Sequence, residues 1–69
     1  MENITLGQKR VQRNFNPSAN PIIEDLKEQH ANLIDKLEIM KDDRNQREIA
    51  MAQTYIETAC MYAVKALFV

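Results

Sequence analysis

The stretch Arg47–Val69, REIAMAQTYIETACMYAVKALFV, decides how the rest of the chain is read. Beyond Glu48 it carries only two charges, Glu57 and Lys65, in a helix-length segment rich in Ala and Met. A helix that is apolar on nearly every face has to be covered on nearly every face. One partner helix drawn from a 69-residue chain does not provide that cover. The segment therefore implies burial against further copies of the same chain, and a function that belongs to an assembly.

Upstream of it, Lys41-Asp42-Asp43-Arg44-Asn45 contains no apolar residue and reads as a turn, with Asp43 or Asn45 able to cap the helix that follows. Before the turn, residues 21–42 read as a helix. Asn20 supplies a cap, Pro21 suits the first helical position, and Glu24 and Asp25 in the first turn favour the helix dipole. The apolar seam expected on this helix is Ile23, Leu26, His30, Leu33, Leu37 and Met40, at alternating spacings of three and four. The matching seam on the second helix, about 46–68, is Ile49, Ala52, Ile56, Ala59, Ala63 and Ala66. The expected fold is all-α: an antiparallel two-helix hairpin over 21–69 with a turn near 43–45. It is preceded by an N-terminal basic arm or short helix over 1–20, and assembles into a helical homo-oligomer.

Composition narrows the function classes. A chain this short often needs disulfides, a metal or oligomerisation to be stable. The single cysteine, Cys60, excludes an intrachain disulfide and reads as a small buried hydrophobe in the apolar helix. One Cys and one His are too few for a tetrahedral zinc site, so no metal and no cofactor is expected. The net charge of −1 argues against binding DNA or RNA polymers. The N-terminus lacks the apolar core of a secretory signal, and ACMYAVKALFV is too short to span a bilayer, so a cytoplasmic protein off the membrane is expected. No Gly-rich phosphate loop and no Ser/His/Asp or Cys/His arrangement supports catalysis. His30 occupies the apolar seam, where a hydrogen-bonded core or interface histidine competes with a ligand-contacting one.

The arm is the better place for binding. Arg10 and Arg13, with Lys9, supply cationic donors, Phe15 an aromatic face, and Asn16-Pro17-Ser18 a turn leading into a helix start. Arginine forks onto phosphate or stacks on a base, and a helix start offers free N–H groups to an anion. These parts suit a nucleotide. They equally suit an arm that clasps a neighbouring subunit, or one that docks on an acidic protein partner as part of a structural module.

Two stretches together resemble a known family. ITLGQKRVQRNFNPS, then an acidic helix containing LID, then REIAMAQTYIETACMYAVKAL, is similar to the small phage proteins that act as cyclic-oligonucleotide sponges. These are the anti-CBASS protein of the second type and the first anti-Thoeris protein. The most specific part is carried by Ala52, Thr54, Ile56, Glu57, Ala59, Met61, Ala63, Val64, Lys65 and Ala66. The resemblance implies a hexamer in the host cytoplasm that sequesters cyclic di- and trinucleotide immune messengers without cleaving them. It also implies Phe15 as the stacking residue, Lys27 as a phosphate ligand of the dinucleotide, and Arg47 as a trinucleotide ligand at a three-fold site. Phe15 stands where the family often has Tyr, and Gln29 where a small hydroxyl residue would be expected.

Overall fold

The computed structural model describes residues 3–69, which form an all-α chain of three helices: α1 (Leu6–Arg10), α2 (Pro21–Met40) and α3 (Gln46–Ala66). The short α1 begins with a reciprocal capping box. Thr5 Oγ1 accepts from the Gln8 N–H at 3.1 Å, while Gln8 Oε1 accepts from the Thr5 N–H at 3.0 Å. At the start of α2, Asn20 Oδ1 accepts from the Ile22 N–H at 2.8 Å and Pro21 opens the helix, as the sequence implies. The turn before α3 is built differently from expectation. Asn45 holds the N-cap position, but its side chain makes no capping bond. It accepts from the Asp42 N–H at 2.7 Å and donates to the Met40 carbonyl at 3.0 Å, so it closes the connection and leaves the helix start uncapped.

Antiparallel α2 and α3 make the hairpin, and α1 lies across α2 near its middle. A Cβ at Gly7 would overlap the carbonyl of Ala31 and stand 2.9 Å from its Cα, so the two backbones touch where both residues are smallest. The Gly7 N–H also donates to Asp35 Oδ1 at 2.7 Å.

This third element explains why the expected seam of α2 is rotated. The buried stripe of α2 is Ile23, Lys27, Ala31 and Ile34, whereas Leu33 and Met40 are about half exposed, at 47% and 53%. On α3 the buried residues are Ile49, Gln53 and Cys60, and the expected Ala59 and Ala66 face outward. The seam expected on α2 carries large residues, but an α1 backbone packed on that helix demands a small one, Ala31, at the centre of the contact. The core cluster is accordingly compact: Val11, Ala31, Ile34 and Cys60, with Ile56 and Val64 packed against it. Cys60 is buried as expected, and burial pushes its thiol above the ordinary value, with Lys27 opposing.

Gln53 is the polar residue of the α2–α3 contact. Its amide donates to the Ile34 carbonyl at 3.1 Å and to Glu38 Oε1 at 2.9 Å, which pins the helices in register. The same bond, then one from Lys41, holds the Glu38 carboxyl below its ordinary 4.5. A carboxyl depressed by folding contributes stability that is present above its unfolded value and lost as the pH falls through its folded value. Glu38→Gln should therefore flatten the acid limb of the melting temperature below about pH 4.5, followed by circular dichroism. An unchanged limb would show that Gln53 does not sense the charge.

The principal extents are 40 × 32 × 12 Å. The least extent is only 12 Å, so the chain is thin in one direction and its core is small. Domains normally bury a core between at least two layers. Here Ile22, Ile39, Met51, Tyr55, Met61 and Tyr62 are all exposed, and the apolar breadth of α3 noted in the sequence is left open. Among the described residues no helix is long and apolar enough to cross a membrane.

Candidate functional site

Between α1 and α2 the chain makes two successive tight turns. The Phe15 N–H donates to the Gln12 carbonyl at 2.9 Å, and the Ala19 N–H to the Asn16 carbonyl at 3.0 Å. Gln12 (φ 55°) and Ala19 (φ 53°) both take the left-handed conformation that side chains disfavour. The intervening loop is held on its own scaffold. Asn16 Oδ1 accepts from Ser18 Oγ at 3.1 Å and from the Asn20 N–H at 3.3 Å, and its amide donates to the Asn20 carbonyl at 3.0 Å. Pro17 sits at the turn position its fixed φ suits. Asn16, Pro17 and Ser18 thus shape the platform from which Phe15 projects, 65% exposed.

Lys27 lies beneath that platform, only 6% exposed. Its ammonium donates to the Gln12 carbonyl at 2.9 Å and, more closely still, to that of Phe15, clamping both ends of the first turn. It also stands 5.6 Å from the centroid of the Phe15 ring, within cation–π range. An ammonium has three N–H donors, so two carbonyls leave one for a ligand. Burial pushes Lys27 below the ordinary lysine value, with Cys60 opposing and Arg13 adding to the shift.

Arg10 and Arg13 fasten the arm from outside. Arg10 Nε donates to Glu57 Oε1 of α3 at 2.6 Å and its Nη2 to Thr54 Oγ1 at 3.3 Å. Arg13 spans Glu28 at 2.7 Å and Glu24 at 3.0 Å on α2, and these carboxylates, Glu28 foremost, raise its already high pKa. Both guanidiniums are committed to ion pairs within the chain, so the arm's formal charge is largely balanced by α2 and α3.

Two cavities adjoin Phe15. One, of about 320 Å³, is lined by Arg10, Gln12, Phe15, Lys27, Glu57 and Cys60 among others. The second, of about 220 Å³, lies on the side of Asn16, Pro17, Ser18 and Phe68. Phe15, Lys27 and Val64 border both. Of the residues singled out in the sequence, the structure brings together Arg10, Phe15, Asn16, Pro17, Ser18 and Lys27, with Arg13 on the outer flank. His30 lines neither cavity: its Nδ1 lies 2.7 Å from the Leu26 carbonyl one turn earlier. Arg47 is at the other end of the hairpin, its side chain 81% exposed and 3.9 Å from Glu48. Sequence reading missed the wall contributed by α3. Glu57, Cys60, Met61, Val64 and Phe68 follow one another at helical spacing, and folding the hairpin back returns that face to the arm.

Fold and site define a helical hairpin closed at its open end by an arm that carries an aromatic ring over a lysine. Residues 8–68 match the family described as Acb2/Tad1, hairpin domain. The chain belongs to that family, the phage cyclic-oligonucleotide sponges. No curated protein and no solved structure matches it.

Proposed function

We propose that this protein binds cyclic di- and trinucleotide immune messengers and sequesters them intact in the cytoplasm of the infected host. Family membership across residues 8–68 carries the reading. The cavity beside Phe15 supports it with the chemistry a nucleotide requires: a stacking surface and a buried ammonium with a donor to spare. Sequestration needs affinity alone, so the reading requires no acid–base pair and the protein acts without cleavage.

The protein works as a homo-oligomer, in this reading a hexamer. The thin shape and the exposed apolar residues of α3 support an assembly, since a lone protomer leaves them in water. A purely structural module whose basic arm docks on an acidic partner is less well supported, because Arg10 and Arg13 already have carboxylate partners in the chain. Arg47 is the proposed trinucleotide ligand at a separate site, where copies converge. Its loose approach to Glu48 leaves it available.

Native mass spectrometry with a panel of cyclic di- and trinucleotides tests the reading. Intact ligand on a defined oligomer is expected. A defined oligomer that takes up nothing from the panel would overturn it. In the same experiment Arg47→Ala should weaken trinucleotides by roughly tenfold or more and spare dinucleotides, since a charge-assisted hydrogen bond is worth about 1.5–3 kcal/mol. Equal loss of both would argue against separate sites.

A further inference from the structure

We propose that Phe68 is a ligand-contacting residue, its ring and that of Phe15 forming the walls of an apolar slot for one nucleobase. The inference rests on the nucleotide-binding reading above and adds a residue to its site. The two cavities flanking Phe15 differ in chemistry. The first is bordered by Arg10, Lys27 and Glu57, whereas the second has Lys27 as its only charged side chain and is otherwise lined by Pro17, Ile23, Val64, the two phenylalanines and the short side chains of Asn16 and Ser18. Charge on one side of an aromatic ring and apolar surface on the other match the division of a nucleotide into phosphate and base.

Size points the same way. The second cavity is about 220 Å³. Pockets that enclose a whole small-molecule ligand run from about 300 to 1,000 Å³, so this one suits a planar fragment of a larger ligand. The rings at its border are 65% and 67% exposed, while neighbouring Ile23 is 4% exposed, so the aromatic area on offer belongs to Phe15 and Phe68. Phe68 is also held in place. Beyond α3 the Leu67 N–H donates to the Val64 carbonyl at 3.1 Å and the Phe68 N–H to the Lys65 carbonyl at 3.0 Å, so a closed turn holds the backbone from which Phe68 lines the slot. Every base has a π-face, and aromatic side chains stack on bases with little regard to sequence.

Phe68→Leu keeps the apolar wall and removes stacking, and Phe68→Tyr keeps both. Calorimetric titration of each variant with cyclic di-AMP and cyclic di-GMP, with oligomer mass followed by native mass spectrometry, decides the matter. Phe68→Leu is expected to bind about tenfold more weakly at unchanged mass, and Phe68→Tyr to bind as the parent does. Unchanged affinity for Phe68→Leu beside a binding parent overturns this inference and leaves the function standing. A change of oligomer mass in Phe68→Leu overturns it as well, by placing the ring in a subunit contact. A parent that binds no cyclic nucleotide in the panel overturns both.

Discussion

Gly7→Ala is expected to detach α1 from α2 and to produce the largest loss of stability of any single methyl added to this chain. The glycine is not needed for its conformational freedom, because it lies in a helix and has no positive φ. Room is the reason. The added Cβ would overlap the Ala31 carbonyl, a backbone group that a rotamer change does not move out of the way. Overpacking of this kind costs about 1–3 kcal/mol and sometimes more. In a domain this short each kcal/mol lowers the melting temperature by roughly 4–8 °C. The damage should also travel. The bond from the Gly7 N–H to Asp35 is lost with the contact, and α1 positions Arg10 and the Gln12 turn that Lys27 clamps. Thermal melts, with amide exchange read across residues 5–15, should show early opening of α1 while the hairpin persists. A variant with parental melting and exchange would mean that α1 does not dock as described.

Phe15→Ala should leave folding alone and cost binding. The ring is largely exposed and outside the core cluster, so its removal empties no cavity. Stacking on a base is worth about 1–3 kcal/mol, which corresponds to a fall in dinucleotide affinity of roughly five- to 150-fold. Lys27→Met makes the informative contrast. It removes the donor to the Gln12 and Phe15 carbonyls, so affinity and arm order should fall together. Calorimetry beside melting curves separates the cases. Phe15→Ala with parental affinity would remove the ring from the site.

The hairpin was legible because its punctuation is local. Asn20-Pro21 starts a helix and the polar run from Lys41 ends it, and neither depends on what packs where. Which face of α2 turns inward was not legible. That depends on α1 lying over Ala31, and a five-residue helix with one glycine gives no periodic signal. The burial of Lys27 and Gln53 was hidden for a related reason: both are polar, yet only 6% and 1% exposed, because backbone carbonyls from distant segments satisfy them. The arm's importance was visible in its composition. The partners of its arginines were not, since Glu57 is 47 residues from Arg10 and only the folded chain makes them neighbours.

The small core has a consequence for how such a protein changes over generations. Its buried cluster of four residues leaves few positions reserved for folding alone, so most substitutions land on surface open to a ligand or another copy. In the proposed symmetric assembly each codon is read out at every equivalent pocket at once. On the proposed function, a host that alters its messenger can thus be followed in single mutational steps. The same steps, taken in the wrong direction, disarm every pocket together.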